Sequence, residues 1–289
     1  MTRRSPAAST AFGPIAIVAV EQKVPGERRI VSDDMAFRML PGSVRPIVHA
    51  AAWRPVREWL VSMSDRQGPG VWGGILCRKR YVDEKVADAM AAGVEQLVVL
   101  GAGLDTLACR TPGAAAFEVD LPVNSAYKRR RLEELYGGVP GHVRLVAADL
   151  QADDLGAALT AAGFRLDQPV LVLLEGVTPY LTEDGVRRIL AFLAKTATGS
   201  RLLFTYIRQD FIDGSARYGM GQQVYRRYVI QRIWRFGLAD GDVGPLLAEY
   251  GWREREQVGA AEYRARYLEP LGRPMRVMEI ERFVEAEKA

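Results

Sequence analysis

Five short apolar runs recur through the middle of the chain, at residues 96–100, 115–119, 143–147, 170–174 and 201–206. Continuous apolar runs of this length mark strands covered on both faces, as in parallel sheets. Helical patterns separate them at 123–136, 155–162 and 182–196, and another at 81–92 precedes the first run and stops at Gly93. Strand and helix in alternation predict an α/β fold with a doubly wound sheet. After Tyr206 the alternation breaks. Residues 210–236 are polar, aromatic and basic and read as an inserted helical segment, within an insertion at about 207–240. Residues 242–250 resemble one more helix packed on the sheet. Two final strands are expected at 252–258 and 275–285, with 263–268 between them.

Residues 1–70 differ in kind. Turn breakers such as Gly13-Pro14, Pro25-Gly26, Pro41-Gly42 and Gly68-Pro69-Gly70 separate short helical patterns at 34–40 and 46–63. This segment reads as an N-terminal helical cap, and 71–289 as the core. Trp53 and Trp59 in the cap are read equally as packing anchors and as ligand contacts. Thr2-Arg3-Arg4 before the apolar run 15–20 imitates a signal peptide, but Glu21 and Lys23 close the run without a small-residue cleavage site. The run is expected to be a short amphipathic helix.

Composition narrows the class. The chain has 289 residues, enough for a large core without staples. Two cysteines, Cys77 and Cys109, exclude a disulfide framework and a cysteine zinc cluster, and place the protein in the cytoplasm. Two histidines, His49 and His142, argue against a multi-His metal site, so no metal is expected. No apolar stretch has the 18 or more residues of a membrane span, so no membrane partner is expected. Lys plus Arg exceed Asp plus Glu by 39 to 35, a mild excess spread along the chain. Nucleic-acid binding would call for a concentrated basic stripe. The densest run, Lys128-Arg129-Arg130-Arg131, falls in a predicted helix and reads as a solvated face.

The candidate chemistry gathers at the strand ends. The first strand runs into Leu100-Gly101-Ala102-Gly103-Leu104-Asp105-Thr106. Glycines there let backbone approach a ligand, and ligands in open α/β sheets sit outside the carboxyl ends of the strands. A dinucleotide fingerprint needs a small third residue where this chain has Thr106. The second strand ends in Asp120, which can accept both hydroxyls of a ribose. The third ends in Asp149-Leu150, suited to an exocyclic amine and a purine face. The fourth ends in Glu175, a buried acid that asks for a cation such as an α-ammonium group. Three acids on successive strand ends describe a nucleoside-plus-amino-acid pocket, and S-adenosylmethionine has those parts. Its carboxylate would fall to Arg78 in Cys77-Arg78-Lys79-Arg80, since the planar guanidinium binds carboxylates bidentately.

The stretches Arg78-Lys79-Arg80-Tyr81-Val82-Asp83, Leu100-Gly101-Ala102-Gly103-Leu104-Asp105-Thr106, Phe117-Glu118-Val119-Asp120 and Leu174-Glu175-Gly176-Val177-Thr178-Pro179-Tyr180-Leu181 resemble the leucine carboxyl methyltransferase-like family. That family includes bacterial polyketide O-methyltransferases of the tetracenomycin type. The resemblance implies a class I methyltransferase fold, a seven-strand, mostly parallel, Rossmann-like sheet with an added helical cap. It implies Arg78 on the methionine carboxylate, Gly101 and Gly103 beneath the methionine, Asp120 on the ribose, Asp149 and Leu150 at the adenine edge, and Glu175 at the amino end. This chain departs from the family in having Leu107 where an arginine is usual, and Lys23 is the nearest N-terminal basic residue that could assist carboxylate binding.

The expected activity is S-adenosylmethionine-dependent O-methylation of a small-molecule acid. A carboxylate is ionised at pH 7 and needs no general base, whereas a hydroxyl does. Tyr180, Tyr218, Tyr225 and Arg226 are the candidate substrate contacts, with Arg217 and Arg227 beside them. His49, in the cap, is the challenger for a base role, and His142 is expected to be inert at the opposite end of the sheet. The rival readings are a hydroxyl O-methyltransferase, a protein C-terminal carboxyl methyltransferase, a nicotinamide-dependent oxidoreductase and a non-catalytic binding module.

Overall fold

The computed structural model describes residues 12–289; the basic Thr2-Arg3-Arg4 stretch lies outside them. All five apolar runs form parallel strands: β1 (Gln96–Leu100), β2 (Ala115–Asp120), β3 (Val143–Ala147), β4 (Val170–Leu174) and β5 (Arg201–Ile207). Every residue of β1 and β4 is buried, as continuous apolar runs require in a sheet covered on both faces. Two further strands, β6 (Trp252–Val258) and β7 (Glu281–Lys288), complete a seven-strand sheet in the order β3-β2-β1-β4-β5-β7-β6. β7 lies antiparallel between β5 and β6. Its first residue therefore stands beside the last residues of the parallel strands, with Glu281 opposite Ile207.

The N-terminal segment read as a cap forms α1 (Phe12–Glu21), α2 (Ala36–Met39), α3 (Arg45–Ala50) and α4 (Arg54–Gln67). The apolar run in α1 is not amphipathic: Ile15 and every residue from Ile17 to Glu21 are buried. The cap packs into one core with the long helix α5 (Val71–Ala91) and one face of the sheet. α5 begins ten residues before the Tyr81 start expected from the sequence. A Cβ on Gly73 would stand 2.2 Å from the Arg276 carbonyl, so glycine there allows the helix to run under the 275–280 segment. The expected helix over 46–63 breaks between α3 and α4, where Pro55 opens the second.

On the sheet's flanks lie α6 (Pro122–Tyr136), α7 (Leu155–Ala161) and α8 (Glu183–Leu193). The Asp154 and Thr182 side chains cap the last two by accepting from Ala157 and Gly185 N–H. Two expectations fail here. The segment 210–236 is largely irregular, with only α9 (Gln209–Ile212) and α10 (Gln222–Tyr225), the latter running into a wider turn to Ile230. The strand expected from residue 275 starts only at Glu281. α11 (Val243–Ala248) and α12 (Ala260–Tyr263) flank β6. Among the described residues no helix is long and apolar enough to cross a membrane.

Candidate active site

Four strands deliver functional side chains to one edge of the sheet. Beyond β1 the chain turns sharply, with φ of 69° at Gly101 and 52° at Gly103. A Cβ on Gly101 would stand 2.4 Å from Val177 Cγ2, so this position needs glycine for conformation and for space. Asp120, at the end of β2, holds the turn: its Oδ2 accepts the Gly103 N–H at 2.5 Å. Its Oδ1 accepts from Leu121 N–H at 2.6 Å and Asn124 Nδ2 at 2.8 Å. Asp149, just past β3, accepts the Gln151 N–H at 2.8 Å.

Glu175, just past β4, is 5% exposed at its side chain and pairs twice with α5. Arg78 Nε donates to Glu175 Oε1 at 2.7 Å, and Lys79 Nζ to Oε2 at 2.8 Å. The cation that Glu175 asks for is thus supplied by the protein itself. Arg78, 6% exposed, also donates through Nη1 to both oxygens of Glu281 at 2.7 and 2.8 Å. Its Nη2 carries no hydrogen bond among the described residues and belongs to a side chain lining the cavity. Lys79 is ion-paired with Asp105 in the glycine loop. Burial pushes the Asp105 carboxyl up, but the Lys79 ammonium and the Leu107 N–H override this and hold it below the usual carboxylate range.

The loop is also tied to the cap and to α6. Thr106 donates its hydroxyl to the buried Asp33 at 2.5 Å. Arg110 donates to the Thr106 hydroxyl at 3.1 Å and to Asp83 at 3.0 Å. Leu107, where an arginine was the family expectation, is buried in the core, and Arg110 supplies a guanidinium to this loop three residues later. Lys128 is not part of a solvated face. It is 2% exposed, pairs with Glu118 of β2 at 2.5 Å and donates to the Asp105 carbonyl at 2.5 Å.

The glycine loop and the strand-end acids open onto one cavity of about 1150 Å³. Ligand pockets for one molecule run to roughly 300–1,000 Å³, so there is room for a cofactor and part of a second molecule. Arg78, Gly101, Gly103, Asp120, Asp149, Leu150 and Glu175 all line it. Of the substrate candidates, Tyr180 lines it and three others do not. Tyr218 is turned to Arg208 and Asp210, Tyr225 is buried against Phe211, and Arg226 is exposed outside the cavity. Tyr228 and Trp234 take their places, and of the two arginines named beside them Arg227 lines the cavity while Arg217 lies over the Tyr225 ring outside it. His49 is exposed against Phe37, 4.7 Å between ring centroids, and does not line the cavity, which counts against the base role raised for it. Lys23 lies over the Phe37 ring at 5.2 Å, also outside the cavity. His142 bonds the Ala108 carbonyl at 2.9 Å and borders a separate small hollow.

Sequence reasoning missed Glu281, which no local signal joins to Arg78 across 203 positions. It also left Lys79 and Asp105 without roles, although both stood in the quoted motifs.

The fold resembles those of solved structures. One is a methyltransferase so named provisionally from Thermobifida fusca YX, with TM-score 0.54, 18% identity and 81% of this chain matched to 89% of that one. Another is a DUF574 family protein from Streptomyces avermitilis MA-4680, with TM-score 0.53, 15% identity and coverage of 95% and 97%. At these identities the likeness concerns the fold. Closer in sequence is a Mycolicibacterium smegmatis protein provisionally named an S-adenosyl-L-methionine-dependent methyltransferase. It is 36% identical over 227 residues, 72% of this chain and 66% of the relative. A similarly named Mycobacterium avium protein is 41% identical over 204 residues, 68% of this chain and 63% of the relative. The matches thus span just under two thirds of these relatives' length. The sequence profile described as Leucine carboxyl methyltransferase matches residues 11–194, which take in the glycine loop, the strand-end acids and, except for Glu281, the buried charge cluster. The chain belongs to the leucine carboxyl methyltransferase family.

Proposed function

We propose that the protein is an S-adenosylmethionine-dependent O-methyltransferase that esterifies the carboxylate of a small-molecule acid. The observation that carries this reading is the single cavity running from the glycine loop and strand-end acids to an aromatic outer chamber, with no histidine among its lining residues. The bound cofactor supplies an electrophilic methyl on a sulfonium. The residues present fit it: Asp120 and Asp149 offer carboxylate oxygens at the ends of β2 and β3, and Arg78, which lines the cavity, keeps one nitrogen without a hydrogen bond among the described residues. In this assignment Asp120 takes the ribose hydroxyls, Asp149 and Leu150 the adenine edge, and Arg78 with Glu175 the amino-acid end. Gly101 and Gly103 keep side chains out of the methionine path.

The protein's part in the reaction is positioning. In-line displacement needs acceptor oxygen and methyl close and aligned, and orientation of that kind supplies much of the barrier reduction. An ionised acceptor is already a nucleophile, which agrees with a lining that lacks an imidazole. The strand order here also differs from the 3-2-1-4-5-6 arrangement of nicotinamide-binding sheets.

Incubation with methyl-labelled S-adenosylmethionine and aromatic acids such as naphthalene-2-carboxylate tests the reading. The expected product is an ester that releases label as methanol in alkali, formed at a rate flat from about pH 6 to 8, above a carboxyl pKa of about 4. An alkali-stable ether, or a rate rising through a pKa near 6–7, would overturn the carboxylate assignment.

Asp120→Ala is expected to weaken S-adenosylmethionine binding by about 1.5–3 kcal/mol, because charged hydrogen bonds to the ribose and the clamp on Gly103 are lost together. Unchanged affinity by calorimetry would remove Asp120 from the cofactor site.

A further inference from the structure

The charged side chains of the cavity are sorted by sign. Six carboxylates line its inner end: Asp33, Asp105, Asp120, Asp149, Glu175 and Glu281. Only three cations, Arg78, Lys79 and Arg110, stand among them. At the outer end the order reverses. Arg66 from the end of α4, and Arg227 and Arg235 from the segment after α10, line the cavity with no acid beside them. Among the described residues none of the three is ion-paired. The Arg66 side chain reaches only Met63 Sδ at 3.8 Å, Arg227 lies 5.5 Å from the Tyr228 ring, and the Arg235 guanidinium donates only to the Tyr180 carbonyl.

The outer end is a built surface. Trp234 N–H donates to the Tyr228 carbonyl at 2.6 Å, closing a loop in which Arg232 takes a φ of 53°, a region that L side chains rarely enter. The closure stacks Tyr228 on Trp234, with centroids 4.5 Å apart and planes at 26°. Arg235 N–H donates to the Pro179 carbonyl at 2.6 Å, pinning the loop beside the end of β4. Arg235 Nε and Nη2 both donate to Tyr180 O, at 3.2 and 2.5 Å, which holds the guanidinium in place and leaves Nη1 without a hydrogen bond among the described residues. Trp234 Nε1 is a buried donor with no partner among the described residues.

We propose that the acceptor is a planar aromatic molecule with a second, non-reacting anionic group, held at the cavity mouth by Arg227 and Arg235 with Arg66 facing them. The proposal rests on the methyltransferase reading of this same cavity. The reason for a second group is energetic. A nucleophilic oxygen loses its negative charge as its bond to the methyl forms. A guanidinium on that oxygen would bind the ground state more strongly than the transition state and slow the reaction. Arginines therefore belong on an anion whose charge does not change. The inner end, rich in acids, suits the cationic cofactor by the same electrostatic logic.

The test uses three probes with enzyme saturated in S-adenosylhomocysteine: naphthalene-2-carboxylate, naphthalene-2,6-dicarboxylate and 6-hydroxynaphthalene-2-carboxylate. The dicarboxylate is expected to bind at least about tenfold more tightly than the monocarboxylate, from charge-assisted contacts to fixed guanidinium groups. The double variant Arg227→Gln/Arg235→Gln should erase that difference while leaving S-adenosylhomocysteine affinity unchanged. With S-adenosylmethionine the dicarboxylate should give a monoester and little diester. A dicarboxylate that binds no better than the monocarboxylate, a preference that survives the double variant, or failure of all three probes to bind overturns the proposal. The hydroxy acid separates the two claims. An ether product whose yield falls in the double variant keeps the remote anion site and overturns the carboxylate acceptor. An ester product whose yield is unchanged in the double variant supports the carboxylate acceptor, since the remote hydroxyl is uncharged, and the dicarboxylate comparison then decides the anion site.

Discussion

Replacing Arg78 with alanine is expected to cost the fold about 3–5 kcal/mol and to abolish cofactor binding. The guanidinium is 6% exposed and sits between two carboxylates of low exposure, Glu175 and Glu281. Removing it leaves Glu175 with Lys79 alone and Glu281 without an ion-pair partner, in a place where an uncompensated charge is poorly solvated. Burial opposes the Arg78 charge and the two carboxylates override it, holding the guanidinium above its ordinary pKa. Arg78→Lys keeps the charge but loses the fork that reaches both acids, so it should recover only part of the stability. Urea unfolding measures the first effect and calorimetry with S-adenosylhomocysteine the second. The variant Arg78→Met/Glu281→Gln should regain stability relative to Arg78→Met while cofactor binding stays lost. If Arg78→Ala unfolds at the parent's midpoint and binds cofactor as the parent does, neither the structural nor the binding role stands.

Lys128→Met is expected to destabilise the protein by about 3–5 kcal/mol, because it strands Glu118 in the core. Both side chains of that pair are 2% exposed, at 2.5 Å. Burial already pushes the Glu118 carboxyl up, with Lys128 pulling it back. The same ammonium donates to the Asp105 carbonyl, so the variant should also loosen the glycine loop and weaken cofactor binding. Converting the acid as well, in Lys128→Met/Glu118→Gln, should restore most of the stability, since a buried pair removed together costs far less than one partner removed alone. The loop effect should persist in that double variant. A single variant within about 1 kcal/mol of the parent would mean that Glu118 finds water or another donor.

Lys128 shows where local pattern misleads. In Lys128-Arg129-Arg130-Arg131 the four residues look alike, and a basic run on a helix reads as solvated. Arg129 and Arg130 are indeed exposed, but Lys128 falls on the side of α6 that meets β2. The insertion shows the same limit. Tyr225 and Arg226 were as plausible as Tyr228 and Arg227, and the closure from Trp234 N–H to Tyr228 O decides which of them reach the cavity.

The strands were legible for a definite reason. A strand covered on both faces must be apolar at every position, so the residues of β1 and β4 announce their own environment. The glycine loop was legible too, because a turn with positive φ beside Val177 admits only glycine without strain. The acids at successive strand ends followed from the strands themselves. Their partners did not. Arg78 meets Glu281 because β7 runs antiparallel beside β5, which brings the first residue of the last strand to the carboxyl ends of the others. Periodicity along a chain records how each residue is buried, and so the sequence by itself determined the α/β alternation and the edge of the sheet where ligands would sit. Which charges meet across some two hundred residues depends on strand order and direction, and those were decided only when the whole sheet was assembled.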